Sequence, residues 1–543
     1  MTTDRSPYDR VAGWLRRLAG LAAVLCAFSV YAGPAPPSLQ LSMSSSPIAP
    51  GCAYEPVDLE KYGGQPFRDA PSVSSKNGVL DVALDVHYAI HMIAGCEVRH
   101  RSYNGALVGP TLRVRPGDTI RLRLRNLLPP NPKKNPDASP HAPAEDHNTP
   151  HDFNTTNLHT HGLHVSPSGK SDNVLLKIRP GDSFDYEIVV PADHPPGTFW
   201  YHAHVHGSTA IQLSSGMAGA LIVEGGLDAV PEIARSREKT FLFQHIAYDD
   251  QGQIEDFDEL LGPGSWERLK RHTTVNGQIV PVIRMRPGEV QRWRLIHGGI
   301  RESILLKLEG HILHEIAVDG LALGRLTGWR DGIELQPGYR SDVLIKAKAL
   351  PEGQTRQEFL LVDAESQPVL SLLGILEKQT VLAKLVVEGP AVDMALPVAR
   401  DLVGLVPHKP VADDELSGRQ QVVFSISLKE DGGFAFTVNG RPFSNDHVRR
   451  LKLGRAEEWT LRTALTSLTP NHPFHIHVNP FQSIRAGPDG QPEIVWRDTL
   501  LVRKGKPQKI RTRYTRYTGL FVLHCHMLDH EDQGMMELVE IVE

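Results

Sequence analysis

Polar and apolar residues alternate in short runs along most of the chain, as in Thr119-Ile120-Arg121-Leu122-Arg123-Leu124-Arg125. A period of two puts the apolar residues on one face of a strand and the charged ones on the other. Such runs recur at short intervals between Gly- and Pro-containing turns, and helical periods are few. The pattern predicts an all-β chain built of sandwiches or barrels. One phrase occurs three times. Asn104-Gly105 precedes Arg113-Val114-Arg115-Pro116-Gly117-Asp118 and RLRLRN; Asn276-Gly277 precedes Arg284-Met285-Arg286-Pro287-Gly288-Glu289 and RWRLIH. Asn439-Gly440 precedes a weaker copy, Arg450-Leu451-Lys452-Leu453-Gly454, and EEWTLRT. A turn, a strand, a second turn and another strand, repeated at domain length, argue for three homologous β domains in series. ALIVEGG at 220–226 and AKLVVEGP at 383–390 read as the last strands of the first two domains, and Met536 to Glu543 as the last of the third.

At the amino terminus Arg5, Arg10, Arg16 and Arg17 lie in a polar stretch, and an apolar run from Leu18 to Tyr31 follows. The run is short for a membrane span, and Val30-Tyr31-Ala32 before Gly33 suits a cleavage site, so 1–32 reads as a secretory signal peptide. Arg16-Arg17 also fits twin-arginine export as the alternative to Sec. The expected organisation is a signal at 1–32, an N-terminal extension at 33–80, and domains at 81–226, 227–400 and 401–543. A Pro-rich insertion at 129–150 interrupts the first domain and carries His141 and His147, with His151 just beyond; it reads as a surface insertion, with an extra metal-binding tract as the alternative.

Composition sharpens this in two places. The 58 Lys+Arg against 63 Asp+Glu in 543 residues form no basic half and give no footprint for nucleic acid. The chain also holds 26 His but only four Cys, too few for a disulfide scaffold. Without the signal, Cys52 and Cys96 are able to pair in an oxidising compartment, which leaves Cys525 single.

The histidines concentrate in NLHTHGLH (His159, His161), WYHAHVHG (His202, His204), NHPFHIHV (His472, His475, His477) and HCHMLDHEDQGMM (His524, His526, His530). Each segment contains a His-x-His, whose two side chains share one face of a strand. Four such pairs, confined to the first and third repeats, offer eight imidazoles to one metal cluster. Cys525, between His524 and His526, points to the opposite face, and His472 is offset by three from His475. Two His, a Cys thiolate and a weak axial Met are the ligands of a blue-copper electron-transfer site, so HCH reads as a bridge between a single copper and a His-rich cluster. Structural zinc would use four ligands and leave the other imidazoles without a role.

With these four motifs in order, the chain resembles a three-domain, laccase-like multicopper oxidase of the bacterial copper-tolerance and spore-coat type. The resemblance implies three cupredoxin-like Greek-key domains and four copper ions, one type 1, one type 2 and two type 3. It places the type 1 copper on His472, Cys525 and His530 with Met535 axial. The type 2 copper takes His159 and His475, and the type 3 pair takes His161, His202, His204, His477, His524 and His526. It also implies one-electron oxidation of four substrate equivalents at the type 1 copper, transfer through Cys525, and reduction of O2 to two waters at the cluster. Asp172 resembles the acid that relatives place beside the type 2 copper, and Glu531 one on the proton path to the type 3 pair. Asp529 and Asp532 read as exposed or salt-bridged carboxylates. His164 and His206 read as supporting or core residues, Met217 and Met536 as packing, and His297, His311 and His314 as structural.

The reducing substrate is expected to be a phenol or aromatic amine, with Cu(I), Mn(II) or Fe(II) as the alternative. Met394 is the only methionine between Met285 and Met527, which argues against a Met-rich cuprous site. A non-catalytic copper carrier or scaffold is the alternative of another class, and twelve retained ligands speak against it. Three repeats do not suit a two-domain nitrite reductase. The expected protein is a periplasmic or secreted monomer without a stable membrane span, whose partners are O2 and a small-molecule or metal-ion reductant.

Overall fold

The computed structural model describes residues 61, 63–132, 148–262, 265–266, 271–368, 371–430, 432–468 and 471–543. The proposed signal, Cys52 and with it the Cys52–Cys96 pairing, His141 and His147 lie outside them; Cys96 is buried.

The expected alternation is realised in strands with one face in solvent, whereas Gly197–His202, Ala218–Val223, Val290–His297 and Asn471–Ile476 are buried throughout. In Thr119–Asn126 the residues at 120, 122, 124 and 126 are buried and the arginines between them are exposed. Six sheets form three pairs. The first pair joins Ser72–Ser74, Thr111–Val114, Ala218–Val223, Gly197–His202 and His159–His161, in that spatial order, with a four-stranded sheet of Cys96–Tyr103, Val79–Ile93, Thr119–Asn126 and Ser183–Val189. Ser72–Ser74 and the start of Val79–Ile93 thus lie upstream of the boundary expected at 81. The second pair runs from Arg237–Ala247 to Thr380–Glu388, and the third from Leu416–Leu428 to Met536–Val542.

The repeated phrase has one structure in all three copies. Asn104, Asn276 and Asn439 have φ of 56°, 52° and 52°, and the glycines that follow have 74°, 74° and 75°. Positive φ at both central positions is the requirement of a type I′ turn, where Asn-Gly is favoured. The asparagine side chain does further work. Asn104 Oδ1 accepts from Asp85 N–H and its Nδ2 donates to Ala83 O; Asn276 does the same to Leu242 and Thr240, and Asn439 to Val423 and Gln421. Each Asn thereby satisfies two backbone groups of the neighbouring strand, which an aspartate lacking the amide N–H cannot do. The strand after each turn lies parallel to the last strand of its own repeat: Thr111–Val114 to Ala218–Val223, Val282–Met285 to Thr380–Glu388, and Val448–Lys452 to Met536–Val542. Parallel partners so distant in sequence close each repeat into a sandwich around an apolar core, and the core of the first repeat continues into second-repeat residues such as Leu242, Ile246 and Ile296.

Helices are short and sit at junctions. Thr209–Ser214 belongs to the first repeat and Leu528–Asp532 to the third, and both are wholly buried. No helix among the described residues is long and apolar enough to cross a membrane.

Candidate metal centre

The four His-x-His pairs meet where the first and third repeats face each other. Only His159–His161 is entirely within a strand; His202, Ile476 and Cys525 end theirs, so His204, His477 and His526 lie just past strand ends. Pairing of His159 with His202 and of His475 with His524 sets the register. Across the junction the His159 ring stacks on His477 and the His161 ring on His475, each at 3.8 Å between centroids, and His204 Nε2 is 3.2 Å from His524 Nε2. All eight imidazoles are buried.

Burial holds the protonated form of each ring well below its ordinary range, and neighbouring imidazoles add to the effect for His159, His477 and His524. His475 is lowered to about 4 and His204 to about 3. The rings are therefore neutral, the form that binds metal. Their outer nitrogens are anchored: His159 Nδ1 on Asp172, His202 Nδ1 on Ala203 O, His475 Nδ1 on Asp498 O and His524 Nδ1 on Cys525 O. The opposite nitrogens of three of these rings, His159 Nε2, His202 Nε2 and His475 Nε2, are buried without a protein partner, as are His161 Nδ1, His477 Nε2 and both nitrogens of His526. An unsatisfied buried polar atom costs about 1–3 kcal/mol, so seven in one cluster are a large debit that metal ions would remove. Sets of three ligand atoms within 4.8 Å of one another include His159/His161/His202, His159/His475/His477 and His204/His477/His524.

On the other face of Gly519–Cys525, Cys525 Sγ lies 3.6 Å from His472 Nδ1 and 3.8 Å from His530 Nδ1. His472 reaches it from the adjacent strand, and His530 from the helix Leu528–Asp532, which converts an offset of five into the same face. Met535 is buried; its backbone N–H donates to His530 O and its carbonyl accepts from Cys525 N–H. Burial pushes the thiol pKa well up, so a thiolate here needs a cation beside it. The donor set, soft sulfur with two imidazole nitrogens, fits copper.

Both acids singled out in the sequence reach the cluster. Asp172 is buried with its oxygens 3.0 and 3.1 Å from His159 Nδ1, accepts from Thr160 N–H, and is pushed up to about 7 by burial. Glu531 lies between two rings, Oε1 3.4 Å from His204 Nδ1 and Oε2 3.3 Å from His524 Nδ1; burial and then the neighbouring Asp532 push it well above the carboxylate range. Asp532 is neither exposed nor salt-bridged, contrary to the sequence expectation. It is buried and accepts the backbone N–H groups of Gly207, Thr209 and Ala210, because the loop after His204 turns into a helix there with its donors unspent. Asp529 is salt-bridged, to Arg301 at 3.2 Å, but buried.

His164 and His206 stay outside the cluster, His164 Nδ1 on Val478 O and His206 Nε2 on Asn148 Oδ1. Met217 and Met536 pack in cores. His297 lies beside His245 and His311 against Phe359, both in the second repeat. Sequence reasoning missed Asp498, whose side chain is 3.0 Å from His161 Nε2, and Ser467, whose Oγ is 3.2 Å from His472 Nε2. Neither belongs to a His motif, and Asp498 reaches a ring 337 residues away. The one local signal is that Asp498 stands in a turn between two strands, Pro492–Arg497 and Thr499–Arg503.

Comparison with known proteins identifies the family. Multicopper oxidase family models match residues 147–227, 245–367 and 415–542. A multicopper oxidase of Staphylococcus aureus is 26% identical over 457 residues, 81% of this chain and 83% of its own. A laccase of Haloferax volcanii is 26% identical over 478 residues, 80% of this chain and 76% of its own. The fold matches the solved structure of a multicopper oxidase from Campylobacter jejuni, titled a metallo-oxidase, with a TM-score of 0.70 at 22% identity, covering 90% of this chain and 97% of that one. The three matched segments span more than half of the sequence and contain every His motif described above, and the chain belongs to the multicopper oxidase family.

Proposed function

We propose that the protein holds four copper ions and couples one-electron oxidation of phenols or aromatic amines to four-electron reduction of O2 to water. The observation that carries this is the two-sided strand Gly519–Cys525: Cys525 Sγ faces His472 and His530, while His524 and, just beyond it, His526 join the buried imidazoles on the other side. In this reading His472, Cys525, His530 and Met535 hold the type 1 copper, His159 and His475 the type 2, and the remaining six imidazoles the type 3 pair. Bound copper supplies one-electron redox chemistry at the first site and storage of four electrons across all sites.

The chain's own residues do the rest. Asp172 and the carbonyls of Ala203, Asp498 and Cys525 keep protons on the outer ring nitrogens and leave the inner ones for metal. Asp172 and Glu531, buried against cluster rings with raised affinities for a proton, are placed to supply protons to the forming water. For the substrate, His472 Nε2 faces Ser467 on a loop whose Leu465 and Leu468 are 75% and 56% exposed. An apolar rim beside the outer edge of a type 1 ligand favours an aromatic reductant over a hydrated cation. Residues 1–32 make the protein an exported one in this reading.

Copper per chain and O2 uptake, measured together, test the proposal. About four coppers with O2 consumption on a phenol is the expected result; one copper would mean a carrier, and none a scaffold. Faster turnover of Cu(I) or Fe(II) than of the phenol would reassign the substrate. Cys525→Ser must abolish the intense blue absorption, and an unchanged spectrum overturns the type 1 assignment.

A further inference from the structure

We propose that Arg340 and Asp498 are a positioning pair for the copper cluster, through which the second domain sets the orientation of one type 3 and one type 2 ligand. The inference rests on the four-copper reading above.

Asp498 acts on two imidazoles at once. Its Oδ1 is 3.0 Å from His161 Nε2, and its backbone carbonyl is 2.8 Å from His475 Nδ1. Each contact places a ring N–H on the outer side and turns the partnerless nitrogen, His161 Nδ1 or His475 Nε2, inward. The same two rings stack on each other at 3.8 Å, so displacement of one is felt by the other.

Arg340 fixes the carboxylate. It stands at the start of the second-repeat strand Arg340–Lys346, fully buried, and spends all five of its donors. Nη1 donates to Asp498 Oδ1 at 2.8 Å and Nη2 to Oδ2 at 2.5 Å, a two-pronged ion pair. The remaining three go to Gly338 O, Asp319 O and Thr198 O, the last in the first repeat. Asp319 completes the frame by accepting from Arg340 N–H and from the N–H groups of Asp498 and Thr499. One guanidinium therefore touches all three repeats and ends on a carboxylate that touches the cluster. The chain keeps room for it: a Cβ at Gly162, which has φ +88°, would lie 2.4 Å from Arg340 Nη2 and 2.6 Å from Asp498 Oδ2. The second domain is thus more than a spacer, since its arginine determines where the proton-accepting oxygen beside His161 sits. A lysine, with a point charge on a flexible stem, cannot reproduce the fork.

The test uses the full-length protein, copper-free and titrated with copper. Asp498→Asn and Arg340→Lys are compared with Arg485→Gln, which breaks another third-to-second-domain ion pair, to Glu315, away from the cluster. Wild type binding about four coppers establishes the underlying reading; fewer would sink that reading rather than the pair. Loss of a partner to a metal-ligating histidine typically lowers metal affinity about 10–100-fold. The expected result is a fall of that size for type 2 and type 3 copper in both variants, seen as loss of the type 2 paramagnetic signal. The blue type 1 absorption should stay as in wild type, and Arg485→Gln should titrate like wild type. The copper-free protein of both variants unfolds at a lower midpoint because a buried ion pair is broken, so affinities are compared at a temperature where every variant is folded. Wild-type cluster affinity in Asp498→Asn or Arg340→Lys, or loss of blue absorption in parallel with cluster copper, overturns the proposal. Should Asp498→Asn fail to fold, Arg340→Lys alone decides it.

Discussion

Asp532 offers the most direct check on how the first and third domains are held together at the cluster. The carboxylate is buried between the loop that follows His204 and the helix that carries His530, and three backbone donors converge on it. Gly207 N–H and Thr209 N–H reach Oδ1 at 2.7 and 3.1 Å, and Ala210 N–H reaches Oδ2 at 2.8 Å. Asp532→Ala leaves three buried N–H groups without acceptors, each costing about 1–3 kcal/mol. Removal also relieves the carboxylate's own burial, the cause of its pKa being pushed up to about 7, so the net loss is expected at about 3–5 kcal/mol rather than the full sum. Asp532→Asn keeps an oxygen for Gly207 and Thr209 but turns an N–H toward Ala210 N–H. It loses one bond and opposes two donors, a cost of about 1–3 kcal/mol. The assay is amide hydrogen exchange of the peptide spanning 205–214 in the copper-free protein, where metal linkage does not mask local opening. Exchange should accelerate in the order wild type, Asn, Ala. Equal protection in all three, or an Asn variant as exposed as the Ala variant, would refute the donor-counting argument.

Asp172→Asn keeps an acceptor for Thr160 N–H but removes a titratable proton and weakens the anchor on His159 Nδ1, so O2 reduction should fall by about 10²–10⁴-fold while the blue absorption persists. Reoxidation of the fully reduced protein by O2 measures this, and normal turnover would dismiss a role for the acid. Asp363 predicts a pH dependence of stability away from the metal sites. Burial, with Glu377 and Glu302 nearby, pushes it up to about 8 although Leu305 N–H opposes the shift, whereas an unfolded aspartate titrates near about 4. The folded state then holds a proton that the unfolded state has lost, so this contribution is full below about pH 4 and fades as pH rises to 8. Urea midpoints between pH 5 and 8 should decline less steeply in Asp363→Asn, and an identical slope would show that the group does not carry the effect.

What the sequence made legible follows from the range of each interaction. Alternation in Thr119–Asn126 and the Asn-Gly turns are local: side-chain direction along a strand and positive φ at two adjacent residues are decided within a few positions, so three repeats could be counted. The His-x-His pairs were legible for the same reason, since the two rings share a face whether the second sits in the strand, as His161 does, or just beyond its end, as His477 and His526 do. His530 was harder, because its approach to Cys525 depends on a short helix with no amphipathic period to announce it. Asp532 and Asp498 were misjudged or missed because their partners are remote. Asp532 looks like one more charge in an acidic run until the loop at 207–210 is folded against it, and Asp498 becomes significant only when Arg340 arrives from another domain. Eight of the proposed ligands repeat a short local pattern, while the groups that would aim them are single residues drawn from wherever the folded chain passes. An aiming group close in sequence, such as Asp172, 13 residues from His159, can be named before the fold is known, whereas Asp498, 337 residues from His161, gains its role only when the three domains meet.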